Sequence, residues 1–346
     1  MKQVRGRRTA TAAWAITLVV ATAPGACIPP GKTVQRLSIA TGGTGGVNYP
    51  YGGAIAKVIS DRLDGVEATA EVTGGSVDNL KFIANDSADL GFVVADALAD
   101  AYVGQGAFAD FGLVPARTLA VLYDSYIHIV TMEDIGIEAV TDLNGRIVST
   151  GAAGSGTEAS ALRLLTAAGV DLATVNRQRL GVGQSVDALK DGKIEAFFWS
   201  GGIPAGSVLD LAATPGRTIR LLASETLLPW LQRDHELVGY HAANVPQSTY
   251  PGMAEDIQVV AVSNILVAHE SMDPQLARRV TEAIFAGHDD LIATHPMAGV
   301  LSHDTAVIGS PIPFHQGAID YYRERGVWNE SFATDTVHSI DNVVTP

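Results

Sequence analysis

The sequence contains one cysteine and few charged residues, and each shortage excludes whole classes of protein. One cysteine among 346 residues cannot form an internal disulfide or a cysteine-rich zinc site. Charged residues make up 17% of the chain and hydrophobic residues 47%, which is ample for a core and too apolar for disorder. Lys and Arg number 23 against 37 Asp and Glu, and no basic stripe is present, which argues against nucleic acid as a partner.

Long apolar runs and catalytic motifs are also missing after residue 30. The most apolar later stretch, 257–268, is interrupted by polar side chains, so we expect that the mature protein does not cross a membrane by itself. No His-Glu-x-x-His or Gly-x-Ser-x-Gly pattern occurs. A Ser-His-Asp set dispersed along the chain would leave no such pattern, but nothing in the sequence nominates one. We therefore expect a protein that is not an enzyme and that uses no metal and no cofactor.

The first 26 residues have the order of charge and hydrophobicity that is typical of a secretory signal peptide. Four basic residues precede the apolar stretch 10–23, and Gly25 and Ala26 follow it. Cys27 comes next and resembles the cysteine of a bacterial lipobox, although Pro24 replaces the usual aliphatic residue. Lipidation of Cys27 and simple cleavage both remain open. Either places the protein outside the cytoplasm, in the periplasm or anchored on the outer side of the bacterial cytoplasmic membrane.

An internal repeat predicts the architecture. Residues 41–46 read Thr-Gly-Gly-Thr-Gly-Gly, and 109 positions later residues 150–156 read Thr-Gly-Ala-Ala-Gly-Ser-Gly. Thirty-five residues after each threonine, the sequence Ser-Val-Asp-Asn-Leu-Lys at 76–81 parallels Ser-Val-Asp-Ala-Leu-Lys at 185–190. Each copy has the order strand, Gly-rich turn, helix, strand, Gly/Ser turn, helix, strand. That order predicts parallel βαβ units with helices covering the sheet.

Two such copies predict an α/β fold of two similar lobes with mainly parallel sheets. Ligands of these folds bind where turns follow the carboxyl ends of strands, so we expect a ligand cleft between the lobes. The predicted boundaries are a signal peptide at 1–26, lobe I at 36–131 and 256–346, lobe II at 132–255, and crossings between lobes near 128–132 and 255–262.

Three turns carry the residues that we expect to contact a ligand. The four glycines of the first turn allow backbone N–H groups to approach a ligand, and a helix N-terminus follows them. Residues 155–157 form the best predicted anion cradle, because they place two hydroxyls and successive N–H groups at a helix start, with no basic residue within 149–160. The predicted ligand-binding residues are Gly43, Thr44, Gly45, Asn48, Tyr49, Ser76, Asn79, Asp96, Ser155, Gly156, Thr157 and Trp199.

Each of these assignments has a structural alternative. The glycine turn can be a tight connection of a doubly wound fold, and Ser76, Ser155 or Thr157 can simply cap a helix. Asp96 closes a buried strand, where its carboxylate can accept from a ligand ammonium or cap the next helix. The sequence leaves both roles of Asp96 open.

These residues resemble the TAXI family of extracytoplasmic solute receptors, which is associated with TRAP transporters. The resemblance rests on Thr-Gly-Gly-Thr-Gly-Gly-Val-Asn-Tyr-Pro at 41–50, Gly-Gly-Ser-Val-Asp-Asn-Leu at 74–80, Gly-Ser-Gly-Thr at 154–157 and the C-terminal run 312–328. It implies a two-lobed periplasmic-binding-protein fold of type II and a small acidic ligand such as glutamate or 2-oxoglutarate. Asn48 stands where the family usually has tyrosine, which bears on ligand preference.

The function that these observations favour is capture of a small carboxylate and its delivery to a TRAP-type membrane permease by a monomeric receptor. The alternative is a sensor subunit of the same fold that presents its bound state to a membrane kinase. An extracytoplasmic hydrolase is the least favoured class, because no nucleophile is paired with a base in any recognisable pattern.

Overall fold

The computed structural model describes residues 34–332, so the predicted signal peptide and Cys27 lie outside the described residues. Strands and helices alternate along this range. The first five elements are β1 (Gln35–Ala40), α1 (Asn48–Arg62), β2 (Val66–Glu71), α2 (Ser76–Ala84) and β3 (Leu90–Val94). We call these five elements the first repeat. Its strands are parallel and lie in the order β2-β1-β3.

The same order of elements recurs later in the chain. After α3 (Ala95–Val103) and β4 (Ala116–Met132), the second repeat consists of β5 (Ile147–Ser149), α4 (Gly156–Ala167), β6 (Asn176–Gln178), α5 (Val182–Lys190) and β7 (Ala196–Gly201). Its strands are again parallel, in the matching order β6-β5-β7. The predicted α/β class and the predicted pair of βαβ arrangements are therefore confirmed.

The remaining elements cover the sheet or extend it. They are α6 (Gly206–Ala212), β8 (Ile219–Leu221), α7 (Leu228–Asp234), β9 (His241–Val245), β10 (Ile257–His269), α8 (Pro274–Ala286), α9 (His288–Thr294) and α10 (Gln316–Glu324). The start of α8 is as predicted: Asp273 caps the helix by accepting from the Leu276 N–H at 2.8 Å, and Pro274 follows at the first helical position. None of the helices within residues 34–332 has the length and apolar character that a membrane crossing requires.

Two long antiparallel strands join the repeats. β4 pairs with β10 as far as Tyr126 and from there with β7, whereas β10 pairs with β9 up to Ala261 and beyond it with β4 and β3. The sequence predicted only short strands at 126–130 and 257–262, but these strands are 17 and 13 residues long. The sequence underestimates their lengths because both faces of each strand are almost entirely buried, so no polar alternation marks where they end.

His128 on β4 is a buried group whose protonation is coupled to the fold. Its Nδ1 lies 2.9 Å from the carbonyl oxygen of Tyr126, which can only accept, so Nδ1 carries the proton. Its Nε2 therefore accepts from the Tyr250 hydroxyl at 3.0 Å, and that hydroxyl in turn accepts from the Ala205 N–H at 3.0 Å. Burial lowers the pKa of His128 to about 4.

We predict that His128 makes the protein lose stability on acidification. Because the pKa in the folded state lies below the ordinary 6.5, the unfolded chain takes up the proton first as the pH falls through this window. The difference corresponds to a loss of roughly 3 kcal/mol of unfolding free energy between neutral pH and pH about 4. Urea denaturation of the wild type and His128→Gln across this range measures it. The glutamine variant should show a shallower dependence on pH, and equal slopes in both proteins would contradict the prediction.

Candidate functional site

The turn between β1 and α1 holds the first group of predicted contact residues. Gly43 and Thr44 are exposed, Gly45 is half-buried and Gly46 is buried. A Cβ atom at Gly46 would lie 2.5 Å from the ring of Trp199, so only glycine allows this turn to pack on the indole. Through this contact the turn of the first repeat meets the end of β7 in the second.

The predicted turns of the two repeats also meet at their helix starts. The N–H groups of Val77 and Asp78, in the first turn of α2, both donate to the Gly154 carbonyl at 3.1 Å. Gly156 begins α4, and a Cβ atom there would lie 2.7 Å from the Ser76 Oγ. The structure therefore brings Ser76 and residues 154–157 together, and the glycines allow the close approach.

The first turn of α4 combines a capping side chain with N–H donors that have no partner within the helix. Ser155 is the N-cap: its Oγ accepts from the Glu158 N–H at 3.1 Å and donates to the Ala152 carbonyl at 2.7 Å. The N–H groups of Gly156 and Thr157 have no partner within the helix because they open it, and the helix end carries a partial positive charge. The Thr157 Oγ1 accepts from the Ser200 N–H at 3.2 Å. This end of α4 can hold an anion.

Glu158, in the same turn, would repel an anion if its charge were unopposed. Its carboxylate lies 3.0 Å from the guanidinium of Arg177 and 2.6 Å from that of Arg179. The positive charges of these two arginines offset the negative charge of Glu158, so the acid does not cancel the partial positive charge of the helix end.

Three buried polar atoms of the second repeat, near the ends of β5 and β7, have no hydrogen-bond partner among the described residues. They are the Trp199 Nε1 and the Ser200 Oγ, near the end of β7, and the Thr150 Oγ1, directly after β5. Thr150 is fully buried and Ser200 is 9% exposed. Thr150 and Ser200 are not among the residues predicted from the sequence. The match of Thr150 to Thr41 in the repeat was the one available signal for Thr150, and Ser200 had none.

Asn48 ties the first repeat to the two long strands. Its side-chain oxygen accepts from the Tyr123 hydroxyl on β4 and from the Asn264 Nδ2 on β10, the latter at 3.3 Å. Asn264 also donates to the Ser125 Oγ at 3.0 Å, while its own Oδ1 is buried without a partner among the described residues. Tyr49, the next residue of α1, is half-buried. Asn48 is thus held where the long strands change partners.

Asn79 makes structural hydrogen bonds with its whole side chain. Its Nδ2 lies 2.7–3.2 Å from three carbonyl oxygens, and its Oδ1 accepts from the Thr73 hydroxyl at 2.6 Å. The three carbonyls belong to Ala40, Thr41 and Phe92, so Asn79 fastens the end of β1 to β3. Ser76 is also engaged, because its Oγ accepts from the Val94 N–H at 3.1 Å.

Asp96 lies at the start of α3 and contacts α4 directly. One carboxylate oxygen accepts from the Ala97 N–H at 2.7 Å, and the other accepts from the Ser160 hydroxyl at 2.6 Å and the Tyr240 hydroxyl at 2.9 Å. Burial raises the pKa of Tyr240, so its hydroxyl remains a donor at neutral pH. Arg163 lies 3.5 Å from the same carboxylate. Hydrogen-bond donors of the protein therefore occupy the carboxylate oxygens of Asp96 that would have to accept from a ligand ammonium.

We predict that Asp96→Asn destabilises the fold. The amide would present N–H groups to the Ser160 and Tyr240 hydroxyls and remove one of the two carboxylates beside Arg163, the other being Asp100 at 2.6 Å. A buried polar group left without a partner costs about 1–3 kcal/mol. Urea denaturation measures the change, and Asp110→Asn, at an exposed position, is the control. A fully stable Asp96→Asn protein that loses affinity for L-glutamate but not for 2-oxoglutarate would instead assign Asp96 to a ligand ammonium.

Comparison with solved structures is consistent with this architecture. MatC from Rhodopseudomonas palustris, solved with bound malate, matches 77% of this chain and 89% of its own at a TM-score of 0.53 and 14% identity. A putative L-cystine ABC transporter from Listeria monocytogenes matches 75% of this chain and 94% of its own at a TM-score of 0.47 and 13% identity. The periplasmic aliphatic sulphonate binding protein SsuA from Escherichia coli matches 88% of this chain and 83% of its own at a TM-score of 0.42 and 15% identity. The likeness to MatC supports the predicted α/β fold, and at these identities the likeness concerns the fold alone.

The described residues contain no group of three or more His, Cys, Asp or Glu side chains that could hold a metal ion. Residues 39–326, which include the joining strands and all of both repeats except the first four residues of β1, match the NMT1-like family. The match spans most of the chain. The chain therefore belongs to the NMT1-like family.

Proposed function

We propose that the protein is an extracytoplasmic solute-binding receptor that holds a small carboxylate between its two repeats and delivers it to a TRAP-type membrane permease. The observation that carries the proposal is the contact between the start of α2 and the turn that leads into α4. The first N–H groups of α4 have no partner within the helix, and the buried hydroxyls of Thr150 and Ser200 have none among the described residues. Such groups bind an anion without a basic side chain.

The repeats belong to lobes I and II in this proposal, and their relative movement opens the cleft. Lobe I comprises 36–131 and 256–346, and lobe II comprises 132–255. Tyr126 and Ala261, where β4 and β10 change partners, mark the proposed hinge. Both residues lie close to the crossings predicted from the sequence. Few loop or element-terminal residues need to move in such a hinge.

The polar groups at the site favour a ligand whose recognition does not depend on an ammonium. Trp199 offers a donor only, and the helix start also offers donors. Asp96 is occupied by protein groups. We therefore propose a 2-oxo or 2-hydroxy carboxylate, such as 2-oxoglutarate or malate, ahead of glutamate. The malate in the similar structure of MatC agrees with this class.

Export and the membrane partner rest on the sequence. The predicted signal peptide at 1–26 supports a location outside the cytoplasm, and the resemblance to the TAXI family supports a TRAP-type permease as its partner. Lipidation of Cys27 would keep the receptor next to that permease.

We predict that Thr157→Ala weakens the binding of 2-oxoglutarate by roughly ten- to a hundredfold. Losing one hydrogen bond to a charged group costs about 1.5–3 kcal/mol, and about 1.4 kcal/mol is tenfold in affinity. Thr157→Ser keeps the hydroxyl and should restore most of the affinity. Thr166→Ala, in the exposed last turn of α4, should bind like the wild type.

Isothermal titration calorimetry gives the affinities, and thermal unfolding of the ligand-free proteins separates binding from folding. Thr157 also holds the Ser200 N–H, so some loss of stability accompanies Thr157→Ala in either case. A lower melting temperature with an unchanged dissociation constant would mean that Thr157 only supports the structure.

A further inference from the structure

The two repeats differ in how they treat a matched threonine. Thr41 and Thr150 occupy the same place, directly after β1 and β5, and their N–H groups make the same bond, to the Glu71 carbonyl at 3.1 Å and to the Gln178 carbonyl at 2.9 Å. The Thr41 hydroxyl also donates to the Glu71 carbonyl, at 2.7 Å. The Thr150 hydroxyl is equally buried and has no partner among the described residues.

The matched ends of β3 and β7 show the same contrast. Both strands are anchored alike, because Asp89 accepts from the Ser38 N–H at 2.8 Å and Glu195 accepts from the Ile147 N–H at 2.9 Å. Counted from these acids, Val93 and Val94 of the first repeat correspond to Trp199 and Ser200 of the second. Two valines of the first repeat thus correspond in position to Trp199 and Ser200 of the second. Each of these two residues has a buried polar atom without a partner among the described residues.

Thr150 and Ser200 adjoin the start of α4, whereas Trp199 points to the other face of β7 and packs there with the cluster that includes Val182. The Ser200 N–H donates to the Thr157 Oγ1 at 3.2 Å, and a Cβ atom at Gly151, next to Thr150, would lie 2.7 Å from the Thr157 Cβ. Buried polar groups are almost always hydrogen-bonded, so a cluster of exceptions calls for a partner that the chain itself does not supply. Both hydroxyls can donate a hydrogen bond.

We propose that Thr150 and Ser200 form the subsite that holds the anionic group of the ligand, together with the first N–H groups of α4. The inference rests on the proposed function and makes it more specific: the second repeat binds the carboxylate through hydrogen bonds, and the matched positions of the first repeat contribute shape and backbone contact. Specificity for the anion therefore resides in the second repeat.

The test compares Thr150→Val with Thr41→Val, the matched variant of the first repeat. The probe is whichever of 2-oxoglutarate, L-malate and L-glutamate most raises the melting temperature of the wild-type protein. Thr150→Val should weaken probe binding about tenfold or more, because a hydrogen bond to a charged group is lost. It should leave the melting temperature of the ligand-free protein unchanged or raise it, because a buried hydroxyl without a partner is removed. Ser200→Ala should behave like Thr150→Val.

Thr41→Val should do the opposite, lowering the melting temperature and leaving the dissociation constant within about twofold of the wild type. This crossed pattern supports the subsite. Full affinity in both Thr150→Val and Ser200→Ala would overturn the subsite and leave the proposed function intact. If none of the three probes stabilises the wild type, the proposed function fails, and the subsite fails with it.

Discussion

The backbone contact between the Gly154 carbonyl and the first N–H groups of α2 is the constraint on which the candidate site depends. It places the start of α2 against the turn that leads into α4, and residues on both sides must be small for the approach to succeed. Gly156 lies against Ser76, and Gly46 lies against Trp199. Side chains at these glycines would separate the two repeats. The Gly-rich turns therefore serve the contact between repeats as well as the approach of a ligand.

The polar groups of the candidate site are of two kinds: some are hydrogen-bonded within the protein and support the structure, and others have no partner among the described residues and can contact a ligand. Asn79 and Asp96 have nearly all of their hydrogen-bonding capacity taken up by the protein, and Ser155 caps its helix. These residues hold strand ends and helix starts in place. Thr150 and Ser200 are equally buried but uncommitted, so their polar atoms remain available. A site that holds its ligand by donors on rigid strand ends needs such a division, because the supporting bonds fix the geometry of the free ones.

Much of the fold could be predicted from the sequence, but only part of the candidate site could. The repeat predicted both βαβ arrangements and the turns that meet, because glycine spacing and hydrophobic strands are local signals. The lengths of β4 and β10 were not predictable, since continuous burial hides where a strand ends. The commitment of Asn79 could not be foreseen either, because its three carbonyl partners come from segments up to 39 residues away. Ser200 gave no sequence signal, because only the fold reveals that its hydroxyl is buried and unpartnered.

The central claim is that a small carboxylate is enclosed between the two repeats, with movement about the points where β4 and β10 change partners. Small-angle X-ray scattering of the mature protein with and without saturating 2-oxoglutarate tests it most directly, with calorimetry on the same samples to establish saturation. The account predicts a smaller radius of gyration in the bound protein, because closure brings the repeats together. An unchanged radius in a sample that calorimetry shows to be saturated would contradict it.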